Sequence, residues 1–309
     1  LDRDPSDDIW RKIGIPKSRD IRRLAPASLP RNKRFETLSD VEDRKRKLIE
    51  ALENLEPELA GAYDNCTPEA PCSIPGCPFC SRRNRGYRFS ETMRINELPF
   101  PGPRFYVTVY LATITEGELA HTRIFDAHKK IRKRMERLGF RGVLVGGTEA
   151  AWIAKRRVWI LHLHILSIGV SSAEWDRLRT TMDDTDGAIP IKVERLKDAV
   201  RALSYMQKWV TYFRPRRRFG HKPSQPVPLK PQQVAELCRW WSCHRFKDFM
   251  FLYGARRRVG RIEPEDYLPE VGTVGMRETP RVLLSRTFTV ESIYRGRTIR
   301  LTVRDEIAI

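Results

Sequence analysis

Trp159-Ile160-Leu161-His162-Leu163-His164-Ile165-Leu166 sets two of the chain's six histidines, two positions apart, inside an apolar run. The composition of the run predicts a strand over 158–168, apolar on both faces and therefore central in a sheet. Side chains alternate faces along a strand, so His162 and His164 point the same way and Leu163 points into packing on the other side. Two neutral imidazoles side by side make a bidentate clamp for a divalent metal. A buried strand has little other use for two adjacent polar rings.

Outward from this strand the pattern is α/β. Phe105 to Ile114 reads as a strand rich in β-branched and aromatic residues. Glu118 to Leu138 reads as an amphipathic helix, with Ile124, Ile131, Met135 and Leu138 on its inner side. Gly142 to Ile153 is a further strand, Ser172 to Met182 a short helix capped by Ser171 or Ser172, and Ile189 to Val193 a fourth strand. Asp198 to Phe213 reads as a helix, as do Ser39 to about Leu59 and Pro231 to about Tyr253. Arg281–Val290 and Thr298–Val303 read as a hairpin.

The expected fold class is α+β: a central antiparallel sheet with flanking helices, an N-terminal zinc-binding segment and a C-terminal helical and β extension. The expected division is a basic arm and helix over 1–60, a cysteine segment over 61–99 and a catalytic unit over 100–213. A basic proline-rich linker over 214–231 and an accessory part over 232–309 complete it.

The metal clamp calls for a third ligand and a nucleophile. Glu149, on the preceding strand, comes near both histidines if the two strands pair antiparallel. Two imidazoles and a carboxylate suit Mg²⁺ or Mn²⁺ and leave positions for phosphate oxygens. The competing reading of Glu149 is a solvated strand-end carboxylate. Tyr205 and Lys208 stand three apart on the helix 198–213 and share a face, as nucleophile and neighbouring ammonium. The competing reading is a packed aromatic stripe of Tyr205, Trp209 and Tyr212.

Cys66, Cys72, Cys77 and Cys80 fall within fifteen residues that also hold Pro68, Pro71, Pro75 and Pro78. So little apolar material cannot fold unaided, and a tetrahedral Zn²⁺ site supplies the missing stability. Two disulfides or unlinked thiols are the alternatives. Cys238 and Cys243 do not share a helix face and are expected to be buried thiols.

The 309 residues carry 58 Lys and Arg against 39 Asp and Glu, a formal net charge of +19. Such an excess favours a polyphosphate partner. The basic residues cluster, and the runs expected to touch DNA are Arg82, Arg83 and Arg85, then Lys155, Arg156 and Arg157, then Arg216, Arg217 and Arg218. No apolar stretch is long enough to span a bilayer, so no membrane partner is expected. The clustered cysteines favour a reducing, cytoplasmic setting.

Three segments together resemble the HUH endonuclease superfamily, the rolling-circle replication initiators, relaxases and single-strand transposases. Tyr106-Val107-Thr108-Val109-Tyr110-Leu111-Ala112-Thr113 resembles that family's first motif, Leu161-His162-Leu163-His164-Ile165-Leu166 the second, and Tyr205-Met206-Gln207-Lys208-Trp209 the third, in the family's order. Trp209 stands where many initiators have a second tyrosine, which points to one catalytic tyrosine. The resemblance implies nicking and joining of single-stranded or hairpin DNA through a 5′-phosphotyrosine at Tyr205. It implies initiation of rolling-circle replication of a plasmid or phage, with a rolling-circle transposase or relaxase as the close alternatives. The sequence holds no Walker loop, so strand separation would fall to a host helicase or to a segment outside it. Two readings of other kinds stay open: a non-enzymatic zinc-containing DNA-binding regulator, and a nuclease that uses water.

Overall fold

The computed structural model describes residues 38–67, 70–182, 189–206, 211–213, 225–258 and 261–265, together with the backbone of 283–294 and 297–308. The residues fall into two units, one ending at Glu265 and one starting at Asp266.

Helix α1 spans Leu38–Leu52 and buries Val41, Leu48 and Leu52. The expected single helix to residue 59 is broken. Pro57, which has no N–H and would clash with the carbonyl four residues back, opens a second helix, α2 (Pro57–Asp64). Cys77 then caps a helix absent from the sequence expectation, α3 (Pro78–Glu97), with Pro78 at its first turn. Basic, apolar and hydroxyl side chains are mixed around α3, and it buries Phe89 and Ile95 together with Arg82, Arg85 and Arg88.

Strand β1 (Arg104–Thr115) is followed by a short 3-10 turn at Leu119–His121 and by α4 (Ile124–Arg137), shorter than expected. Strands β2 (Val143–Ile153) and β3 (Val158–Ile168) form a hairpin. Helix α5 (Ser172–Thr180) starts at a capping box in which the Ser171 hydroxyl accepts from the Glu174 N–H and Glu174 reaches back. Strand β4 (Ile191–Arg195) leads to α6 (Ala199–Met206). Tyr212 and Phe213 are not helical as expected but form a short strand, β5, against β6 (Val227–Pro228). Helix α7 covers only Pro231–Ser242. The remainder of the expected helix becomes a 3-10 turn at Phe246–Phe249 and strand β7 (Met250–Tyr253). Strands β8 (Ala255–Arg258) and β9 (Arg261–Pro264) form a small ribbon. In the second unit, β10 (Leu283–Tyr294) and β11 (Arg297–Ala308) pair antiparallel, longer than the expected hairpin.

The central sheet has the order β4-β1-β3-β2-β7, every neighbour antiparallel. The fold is α+β, a five-stranded antiparallel sheet with flanking helices, and β3 is its middle strand. The sheet does not close at residue 213: its edge strand is β7, drawn from the expected accessory part.

The odd-numbered residues of β3 (Trp159, Leu161, Leu163, Ile165) are fully buried on one face. Leu163 and Ile165 pack there with Ile131 and Met135 of α4 and with Trp175 and Leu178 of α5. Trp159 and Leu161 pack with Leu52, Tyr63, Leu237 and Trp240 toward the hairpin end. On the other face Leu166 and Ile168 pack with Phe89 and Ile95 of α3 and with Leu203 and Met206 of α6. That second core stops short of His164.

The register of β1 against β3 shifts between Tyr110 and Ala112. Leu111 is the extra residue of a bulge, which lets Tyr106, Thr108 and Tyr110 share a face with the histidines while Ile114 turns to Trp159 on the opposite face. Among the described residues no helix is long and apolar enough to cross a membrane.

Candidate metal centre and tyrosine

The β2–β3 register sets Glu149 directly opposite His162 and Gly147 opposite His164. Gly147 brings no side chain, so the carboxylate of Glu149 reaches diagonally to His164, with Oε1 2.8 Å from Nε2. One ligand atom from each of Glu149, His162 and His164 lies within 4.8 Å of the others. Cis ligands of an octahedral cation with bonds near 2.1 Å stand roughly 3 Å apart, so a divalent ion fits between these donors with small side-chain adjustments. The two imidazoles lie 6.0 Å apart, centroid to centroid, on the same side of the sheet.

Burial, opposed by the Glu149 charge and reinforced by His164, pushes His162 down to about 4. Its ring is therefore neutral at neutral pH with a lone pair to offer. His164 is oriented from behind by β1: the Tyr106 hydroxyl lies 2.9 Å and the Thr108 hydroxyl 3.1 Å from its Nδ1. Tyr106 also stacks on the ring at 5.8 Å. With Nε2 given to a cation, the ring proton sits on Nδ1 and these hydroxyls accept it. Burial, followed by the Glu149 charge, raises the Tyr106 phenol far above its usual range, so it stays a neutral partner. Tyr110 meets His162 edge-on at 6.2 Å. Tyr106 and Thr108 escape the sequence reading as site residues, although their period-two spacing in a recognised strand is the signal that marks them.

Tyr205 stands near the C-terminal end of α6, with its ring 5.8 Å from that of His164 in an edge-on arrangement. Its neighbours Leu203, Ser204 and Met206 are buried, whereas Tyr205 is 43 % exposed, so its helix is anchored while the tyrosine itself reaches the surface. The structure thus brings Glu149, His162, His164 and Tyr205 together. Lys208 lies outside the described residues, as do Arg216, Arg217 and Arg218.

The arginines of α3 require correction. Arg82 and Arg85, expected on a DNA-binding surface, are buried, and so is Arg88. Arg85 donates to the Ser204 carbonyl at 3.0 Å, and Arg88 donates to the Phe246 carbonyl. These guanidiniums hold α6 and the 3-10 turn against α3. Burial, followed by the Arg257 charge, draws Arg88 down to about 9. Arg83 is partly exposed. Lys155, Arg156 and Arg157 are exposed on the β2–β3 turn, where Arg157 pairs with Glu116 at 2.6 Å.

The four cysteines form the second cluster, with their sulfurs within 4.8 Å of one another. Cys66 and Cys80 sulfurs are 3.6 Å apart, and Cys72 and Cys80 sulfurs 3.8 Å. Four thiolates at about 2.3 Å from a tetrahedral ion have edges of roughly 3.8 Å. Disulfide sulfurs would stand near 2.05 Å. The backbone N–H groups of Cys72 and Ser73 donate to the sulfurs of Cys66 and Cys80, both at 3.3 Å. Hydrogen bonds from Cys77 and Cys80 pull the Cys72 thiol down, while the same contacts and burial push Cys77 and Cys80 up. The cluster cannot carry four thiolates without a cation, and the donor set suits a soft divalent metal such as zinc. Cys238 is buried as expected, but Cys243 is exposed.

The chain matches no protein-family model, no curated protein and no solved structure.

Proposed function

We propose that the chain is a metal-dependent HUH-type endonuclease and strand transferase that nicks and rejoins single-stranded DNA, most directly to initiate rolling-circle replication. The observation that carries this reading is the 5.8 Å approach of an exposed tyrosine ring to a histidine that already shares a hydrogen bond with Glu149. A partly buried carboxylate–imidazole pair alone would fit a structural polar network. A partly exposed tyrosine ring edge-on to that histidine adds the group a nucleophile needs.

Glu149, His162 and His164 would hold Mg²⁺ or Mn²⁺, which when bound supplies charge stabilisation to a phosphodiester oxygen. The remaining steps belong to the chain. The Tyr205 oxygen attacks phosphorus and loses its proton to solvent, the bond from phosphorus to the 3′-oxygen breaks, and that oxygen takes up a proton. The 5′-phosphotyrosine keeps the ester energy, so a 3′-hydroxyl can reverse the reaction without ATP. Tyr106 and Thr108 hold His164 in one orientation throughout. The cysteine cluster would carry structural Zn²⁺ at the start of α3. Single-stranded or hairpin DNA is the partner, a cytoplasmic setting suits the free thiols, and a separate helicase would open the duplex.

Incubation with single-stranded DNA and Mn²⁺ tests the reading. A protein–DNA adduct on a denaturing gel, mapped to the peptide holding Tyr205 and lost in Tyr205→Phe, is expected. Cleavage with no adduct would assign the site to water-based hydrolysis. Binding without cleavage, with metal at the cysteines alone, would assign the chain to a zinc-containing regulator.

A further inference from the structure

The ribbon of β8 and β9 turns alternate side chains to opposite faces. Arg257 lies opposite Ile262, Arg256 opposite Glu263, and Arg258 opposite Arg261. Ile262 is fully buried and Arg257, itself exposed, holds its guanidinium 5.5 Å from the Tyr87 ring, so this face is turned to α3. By alternation the other face carries Arg256, Arg258, Arg261 and Glu263. The three arginines are exposed. Glu263 offsets part of the charge at 3.3 Å from Arg258. Like charges directly opposite in an antiparallel pair are destabilising, and Arg258 faces Arg261. The free ribbon bears that repulsion, and an anion laid across it relieves it.

The mount is rigid. The Ile262 N–H donates to Glu91 of α3 at 2.8 Å, Arg94 donates to the Ile262 carbonyl, and Glu91 and Arg94 pair at 2.9 Å. The same helix holds α6 through Arg85 and Ser204. The ribbon is therefore fixed with respect to the helix bearing Tyr205.

We propose that the outer face of this ribbon grips the phosphates of double-stranded DNA. A two-stranded ribbon is an element that the roughly 12 Å major groove of B-form DNA admits. A single strand would call for aromatic stacking platforms, and this face has none. Duplex RNA presents a deep, narrow major groove that excludes it. The role of such a grip, holding the duplex beside the strand to be cut, rests on the nicking reading; the binding itself does not.

The test uses the full chain, a B-form duplex without a nicking site, a short single-stranded oligonucleotide, and anisotropy across a salt series. Replacing Arg256, Arg258 and Arg261 together by Gln is expected to weaken duplex binding at least tenfold at low salt. The slope of log K against log salt should fall by about 2–3, near 0.9 per lost phosphate contact. Single-strand binding and adduct formation at Tyr205 are expected to stay unchanged. The corresponding triple Lys variant should keep duplex binding, which separates lost charge from lost fold. Unaltered duplex affinity in the Gln variant, equal losses on both DNAs, or failure of the Lys variant would each overturn the proposal. A wild-type chain that forms no adduct yet shows the duplex effect would sink the nicking reading and leave the grip standing.

Discussion

Arg85 and Ser204, 119 positions apart, meet through a 3.0 Å hydrogen bond from a buried guanidinium to a carbonyl in the last turn of α6. The final carbonyls of a helix have no partner within it, and the dipole there favours a cation. Arg85 meets both needs one residue before Tyr205. Arg85→Met is expected to destabilise the fold by roughly 1–3 kcal/mol, the cost of losing a buried hydrogen bond from a charged donor. Its second effect separates positioning from bulk stability. Adduct formation should fall well beyond the fraction of chains unfolded while Mn²⁺ affinity is kept, and Arg85→Lys should restore part of it. Equal losses of folded fraction and adduct would reduce Arg85 to a packing residue.

Tyr106 and Thr108 reach the candidate cation site through His164, with both hydroxyls at its Nδ1 and the Tyr106 ring stacked on it. The double variant Tyr106→Phe, Thr108→Val removes both hydroxyls with little change of volume. Mn²⁺ affinity, read by calorimetry, is expected to fall about 10–100-fold, the usual consequence of releasing a ligand's outer partner. Glu149→Gln should weaken it further, because it removes the only anionic donor of the three. Unchanged affinity in the double variant would show that β1 does not set the ring.

The cysteine cluster sits at the N-terminal cap of α3, and α3 supports both α6 and the β8–β9 ribbon. Elemental analysis is expected to find one zinc per chain at this site. Stripping it with a chelator should lower the melting temperature and abolish adduct formation even with excess Mn²⁺ present, and Cys80→Ser should behave likewise. Full activity in a zinc-free chain would cut this link.

His128, on α4, is buried, shares a 2.6 Å hydrogen bond between its Nε2 and the Thr148 hydroxyl, and is pushed down to about 3 by burial and by Arg132 and Arg88. Its unfolded value is near 6.5, so between these values the unfolded chain binds the extra proton and the folded chain does not. Stability is complete above about pH 6.5 and drains as pH falls toward 3, on the order of a few kcal/mol in all. His162, held at about 4, acts in the same direction. Urea midpoints from pH 7 to 4 should fall, and His128→Gln should flatten that fall. A flat profile in the parent chain would contradict the burial of both rings.

The parts of this fold legible in the sequence are those fixed by local pattern. The apolar run 158–168 announces a central strand because both of its faces must be buried. Ser171 and Glu174 announce the start of α5. Met250–Tyr253 is unreadable for a physical reason: four apolar residues in an aromatic-rich stretch suit a helix and a strand equally. Only pairing with Leu144–Gly147, a contact far away in the chain, settles β7. The arginines of α3 misled for a related reason. Burying a guanidinium is costly, so a basic run reads as surface unless carbonyl acceptors are already in place, and Ser204 and Phe246 supply those from distant segments. In the candidate site the donors are readable from spacing; the orienting hydroxyls share a period of two within β1, but what they orient is settled only across the β1–β3 ladder.

Leu111 occupies a place in the chain but none in the ladder. Tyr110 and Ala112, on either side of it, already face consecutive residues of β3, His162 and Leu161. Excising Leu111 would therefore leave each remaining side chain of β1 on the side it now occupies, whereas removing Val109 would invert one half of the strand. The strand thus contains a swivel joint, a point where the cation-facing half can be re-aimed against the half that supports the hairpin without rewriting either.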